Sequence, residues 1–147
     1  MSDWNAGIIE EFRTNHGRVG GIFEGAPMLL LTHRGAKSGT ERTNPLMYRE
    51  EDSRIFVFAS KGGHTADPHW YLNITANPEV TVEIGDESFA ARAVEITGVE
   101  RDEIYGRQTL DRPQFGEYQQ GTTRTIPVVE LVRAPGLEPH PGAVVTL

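Results

Sequence analysis

Apolar residues recur at helical spacing at the start of the chain and at strand spacing through most of the rest. Trp4, Ile8, Ile9 and Phe12 fall on one stripe, Glu10 and Glu11 face away, and Asp3 stands as an N-cap. This predicts an amphipathic helix over about 3–15, weakened by Gly7 and ended by the polar, glycine-rich stretch 15–21. A one-sided apolar stripe needs a partner, so the helix is expected to close one end of a sheet or barrel. From Pro27 the period is that of strands, expected over 28–32, 45–49, 54–60, 80–84, 89–96 and 126–132. Residues 50–53 join the second strand to the third, and Gly85-Asp86-Glu87 joins the fourth to the fifth. In the fifth strand Arg92 faces away from Ala91 and Ala93. Pro127 sits near the start of the sixth, where a missing N–H is tolerated.

Helical spacing returns three times. Asp67-Pro68 opens a helix over 69–77 that stops at Pro78. A charged helix over 99–110 has Ile104 and Leu110 as its anchors, and a short helix would bring Phe115 and Tyr118 together. About six strands, mostly in hairpins, with peripheral helices make a mainly β, α+β chain and predict a small closed or partly closed antiparallel barrel. The tail 134–147, with three prolines and two glycines, is expected to be extended. No repeat or linker divides residues 1–147, so one domain is expected.

Composition narrows the function. The chain has no cysteine, which excludes disulfides, thiolate metal sites and cysteine nucleophiles. A net charge of -7 argues against nucleic-acid binding. Met1 to Phe12 is too polar for a signal peptide, and no apolar run approaches a membrane span. A cytoplasmic location is expected, with a peripheral membrane contact left open.

Against that acidic background, Leu31 runs into a basic loop holding Arg34, Lys37 and Arg42, with His33, Ser38, Thr43 and two glycines, Gly35 and Gly39. Such a cluster suits an anion, most simply a cofactor phosphate; a solvated hairpin loop is the equally weighted alternative. It is not a P-loop. A second glycine-rich segment, Ser60-Lys61-Gly62-Gly63-His64, again follows an apolar strand and leads to Trp70 and Asn73 on one helix face. Its amides could line a flat ligand, whereas core packing is the more frequent role of a tryptophan. His64, Asp67 and His69, even with His33, form no strong metal signature, and no metal is expected. No nucleophile elbow is present, and the pairs Glu10–Glu11 and Glu50–Glu51 look like solvent-facing charge. Phe115 and Tyr118 can wall an apolar substrate pocket or anchor a surface helix, and Arg124 can brace this segment through a carboxylate.

Residues 31–39 with 42–46, then 59–63, 68–78 and 118–128, together resemble the deazaflavin-dependent nitroreductase family, whose members use coenzyme F-420. The resemblance spans about 15–132 and implies a split β-barrel similar to the FMN-binding barrels. It implies that reduced F-420 donates hydride. Arg34, Lys37, Ser38 and Gly39, with Arg42 and Thr43, would hold the phosphate and acidic tail. Pro45, Ser60, Lys61 and Gly62 would line the deazaflavin, completed by Trp70 and Asn73. Tyr118 matches a catalytic tyrosine near the substrate, and Phe115 replaces one family hydroxyl. The family reduces quinones, nitroaromatics and unsaturated esters or lactones such as coumarins and aflatoxins, so the implied partner is a small, planar, hydrophobic substrate, menaquinone-like among others. A monomer or weak homo-oligomer is expected. A non-catalytic F-420 carrier and an FMN- or haem-binding barrel are the competing readings.

Overall fold

The computed structural model describes residues 3–21, 25–60 and 67–134. In chain order these form α1 (Asp3–Thr14), β1 (Met28–Arg34), β2 (Glu41–Glu51), β3 (Arg54–Phe58), α2 (His69–Ala76), β4 (Glu79–Ile84), β5 (Glu87–Ile96), α3 (Gly98–Asp111), α4 (Gln114–Gln120) and β6 (Val128–Arg133). The strands close into an antiparallel barrel of order β1-β2-β3-β6-β5-β4. This is the mixed fold with peripheral helices expected of a split β-barrel.

Strand alternation sorts the apolar residues into an inside and an outside. Leu29, Leu31, Val57, Val82 and Val129 point into the barrel, and Trp70 and Ile74 of α2 plug it. On the outside, Met28 and Leu30 are covered by Ile8 and Phe12 of α1. Phe56, Phe58 and Val128 are covered by Ile104 and Tyr105 of α3 and Phe115 of α4. β1 is therefore apolar at consecutive positions because both of its faces are buried.

Most departures from expectation lie at element ends. β2 begins at Glu41, because Arg34 to Leu31 pair with Glu41 to Asn44. Its polar first half makes the same backbone ladder but carries no apolar signal. The basic loop is thereby reduced to residues 35–40. β3 stops at Phe58, and β6 starts at Val128; Ala59 N–H instead donates to the carbonyl of Pro127 at 3.0 Å. The β2–β3 turn is only Asp52 and Ser53, both at positive φ. In α3 the anchors are Ile104, Tyr105 and Gln108, whereas Leu110 is 82% exposed. Six positions after Ile104, Leu110 has turned to the far side of the helix. Glu51 is not a free surface charge: it accepts hydrogen bonds from Arg107 at 2.8 Å and from Arg49 at 2.5 Å, and these hold its carboxyl at about 2. Tail positions 135–147 lie outside the described residues, while Ala134 N–H donates to the carbonyl of Ala90. Among the described residues no helix is long and apolar enough to cross a membrane.

Candidate functional site

The basic loop folds back over α2 at the plugged end of the barrel. Gly35 N–H donates to the carbonyl of Thr40, and Gly39 N–H donates to that of Gly35. Gly39 has φ +71°, which favours glycine, and a Cβ at Gly35 would stand 2.6 Å from Ser38 Oγ, so a side chain there would turn the serine hydroxyl out of place. Two asparagines of the α2 segment tie the loop down. Asn73 Oδ1 accepts from Ala36 N–H at 2.9 Å, and Asn77 Nδ2 donates to the carbonyl of Gly35 at 3.4 Å.

Between loop and helix lies a cleft of about 420 Å³. Lys37, Ser38 and Arg42 line its polar side, and His69, Leu72 and Asn73 line its helix side. Among the described residues neither Lys37 nor Arg42 has a carboxylate partner, whereas most other arginines do. Ser38 Oγ accepts from Thr40 N–H at 3.1 Å, which leaves its own proton to donate. Leu72 is 48% exposed here, an apolar surface next to cations. Two unpaired cations, a hydroxyl donor and an apolar patch fit a ligand that is anionic at one end and flat and apolar beside it.

The remaining site residues are placed less simply. Arg34 does not line the cleft; it lies 3.6 Å from Glu41 and donates to the carbonyl of Gly39. Thr43 bonds Thr32 across the strands at 2.9 Å, and Pro45 stands opposite Leu30 on the outer face. Trp70 is buried among the barrel-core residues, 6% exposed, and does not line the cleft. Ser60 offers its carbonyl to Arg124, whose guanidinium also donates to the carbonyl of Ala59 and to Asp67. Arg124 uses a carboxylate, but it ties down the two described flanks of the second glycine-rich segment rather than only its own. Lys61, Gly62, Gly63 and His64 lie outside the described residues. Among the described residues no three metal-capable side chains gather. Phe115 is 5% exposed, its ring 5.4 Å from Phe58 and its carbonyl accepting from the Tyr105 hydroxyl at 2.6 Å. Tyr118 lies at the edge of that cluster, 5.2 Å from the Phe115 ring, and its hydroxyl makes no hydrogen bond among the described residues.

Sequence reasoning gave His69, Leu72, His33 and Asn44 no place in this network: His33 entered only as a basic neighbour of the loop and His69 only as a weak metal candidate. Helical spacing carries the signal for the first two, since 69, 72 and 73 share a face. Strand alternation carries it for His33, which follows Leu29 and Leu31 into the barrel mouth. His33 is 2% exposed and bonds Asn73 and Asn44. Burial, and then Arg42 nearby, hold its ring below the ordinary histidine value against the bond to Asn44.

Comparison with known proteins agrees with this geometry. The model of a family described as F420H(2)-dependent quinone reductase matches residues 7–133. An F420H(2)-dependent quinone reductase of Mycobacterium tuberculosis (strain ATCC 25618 / H37Rv) is 36% identical over 128 residues, covering 83% of this chain and 85% of the relative. The solved F420-H2 dependent reductase FDR-A is 42% identical with a TM-score of 0.66, covering 71% of this chain and 93% of that one. The haem storage protein HutZ from Vibrio cholerae shares the fold alone, at 18% identity and a TM-score of 0.57, over 86% of this chain and 87% of that one.

Proposed function

The chain belongs to the F420H(2)-dependent quinone reductase family, and from that membership we propose that the cleft between the basic loop and α2 holds the anionic part of reduced F-420. When bound, F-420 supplies the hydride. Everything else falls to the chain. Lys37 and Arg42 neutralise phosphate and carboxylate charge, and Ser38 donates a hydrogen bond. Leu72 offers apolar contact, while Asn73 and Asn77 fix the loop backbone before any ligand arrives. The observation that carries this reading is the pair of cations without a carboxylate partner among the described residues, in a chain of net charge -7.

The acceptor we propose is a quinone, nitroaromatic or activated alkene, menaquinone-, coumarin- or aflatoxin-like in shape. A quinone takes a hydride and a proton and becomes the hydroquinone. A nitro group takes both and loses water to give the nitroso compound. An unsaturated ester or lactone takes the hydride at its β-carbon, and the charge rests on the carbonyl oxygen until the proton passes to the α-carbon. In each case negative charge develops on oxygen. Tyr118 is the donor for that oxygen: its hydroxyl makes no hydrogen bond among the described residues, and its ring is held by Phe115.

The test is anaerobic single-turnover oxidation of bound F-420H2 by excess menadione, and by a coumarin, followed by absorbance. The wild type is expected to oxidise the cofactor. Tyr118→Phe should slow that step about tenfold to hundredfold while cofactor affinity stays unchanged. Equal rates would remove Tyr118 from the chemistry. Binding with no oxidation by any acceptor would make the protein a carrier.

A further inference from the structure

We propose that His33 is a positioning residue for the cofactor: as a neutral ring with its proton on Nε2, it orients Asn73 to hold the basic loop, and on taking up a proton it releases that loop. This rests on the reading of the loop as the cofactor's anion site.

The direction of every bond in the network is forced. Ala36 N–H can only donate, so the Asn73 atom 2.9 Å away is the oxygen. That turns Asn73 Nδ2 toward His33 Nδ1 at 3.1 Å. An amide NH2 also only donates, so Nδ1 carries a bare lone pair. The proton of the neutral ring then sits on Nε2 and is donated to Asn44 Oδ1 at 2.7 Å. Asn44 on β2, His33 on β1, Asn73 on α2 and the loop backbone form one chain, with both central side chains buried.

A second proton breaks it. It would face Nδ1–H against Asn73 Nδ2–H, two donors at hydrogen-bond distance. Flipping the amide relieves that contact but sets NH2 against Ala36 N–H. Either way the loop loses its Asn73 anchor and keeps only the longer bond from Asn77, or the barrel mouth keeps an unpaired donor. The surrounding charges do not offset this. From β2, Arg42 is the cross-strand partner of His33, and Glu41 is engaged with Arg34. From β4, Glu79 is exposed and lies 3.9 Å from Arg92 of β5. α2 brings His69 and no carboxylate. The depressed basicity of the ring fits the same picture: the neutral form predominates at neutral pH, and release comes on acidification, below about 6.5.

Two measurements decide it. The first uses the labelled full chain without cofactor, followed by NMR from about pH 7.5 to about pH 5. At the upper pH, His33 should show an unprotonated Nδ1 and a protonated Nε2. On acidification the Ala36 amide should shift with the midpoint of the His33 ring, whose signals are assigned apart from those of His16, His64, His69 and His140. The opposite tautomer, or an Ala36 amide that ignores His33, overturns the proposal whatever the protein binds.

The second is calorimetric titration with F-420 over the same range. Wild-type affinity should fall by up to about tenfold per pH unit below the His33 midpoint, beyond the ligand's own titration. His33→Asn places a non-titrating oxygen where Nδ1 stood, so the fall that belongs to His33 should vanish, leaving the slope of the ligand and the rest of the cleft, His69 included. Equal slopes in the two proteins overturn the proposal. Should His33→Asn not fold, Asn73→Asp replaces it: its carboxylate accepts from Ala36 and favours a protonated ring. The His33 midpoint should then rise above that of the wild type, and an unmoved midpoint overturns the proposal. Absence of F-420 binding at every pH would instead count against the assigned function, with the NMR result still standing.

Discussion

Lys37 and Glu51 show what one charge does at a surface, with opposite outcomes. Lys37 is exposed and has no carboxylate partner among the described residues, so its charge is available to a ligand and contributes little to folding. Lys37→Ala should weaken F-420 binding roughly tenfold to hundredfold, measured by fluorescence titration at low salt, with the melting temperature hardly changed. The same titration at higher salt should show wild-type binding weakening toward that of the variant. Glu51 is committed to folding instead. Held first by Arg107 and then by Arg49, its carboxyl is depressed to about 2 from an ordinary value of 4.5. A depressed carboxylate stabilises above its unfolded value, and that contribution is lost as pH falls from about 4.5 through about 2. Glu51→Gln should therefore cost about 1–2 kcal/mol at neutral pH, screened because Arg107 is half exposed, and flatten acid unfolding in that window. In sequence, Lys37 and Arg42 were legible because cations stand out in an acidic chain beside glycines. His33 was legible only as one more basic neighbour, since its buried role depends on a strand running two residues further than its apolar part.

At the scale of elements, the sequence shows that a helix exists more clearly than which side of it is buried. The charged stretch of α3 reads as helical, yet its two aliphatic anchors separate in the structure, Ile104 1% exposed and Leu110 82%. Ile104→Ala should cost about 2–5 kcal/mol in urea unfolding, whereas Leu110→Ala should stay within about 0.5 kcal/mol. Aliphatic spacing does not mark the buried face because Tyr105 and Gln108 complete it, and neither is aliphatic. α2 was located correctly, from Asp67-Pro68 to Pro78, but its tryptophan serves the barrel core while Leu72 and Asn73 meet the cleft. The end of α1 is fixed by a close approach that no periodicity reports. Gly17, at φ +96°, would bring a Cβ within 2.7 Å of the Gly85 backbone in the β4–β5 turn. Gly17→Ala should destabilise by about 1–3 kcal/mol, seen as a lower melting temperature, because both the conformation and the contact with backbone resist a side chain.

For the molecule as a whole, a barrel and its hairpins were legible and the order in which the strands close it was not. Hairpin partners are neighbours in sequence and share turn residues, so β2–β3 and β4–β5 follow from local pattern. The pairings β1–β4, β3–β6 and β5–β6 join distant segments, and nothing local in the sequence specifies them. The strand order still carries a consequence for how the chain comes into being. β6 is the last of the six strands to be synthesised, and it lies between β3 and β5. Until residues 128–133 have left the ribosome, the other five strands can form at most an open sheet with β3 and β5 as unprotected edges. Such edges invite pairing with another nascent chain. The single insertion of β6 removes both at once, so the passage from a sticky, incomplete sheet to a protein without free edges is concentrated in the arrival of one six-residue strand.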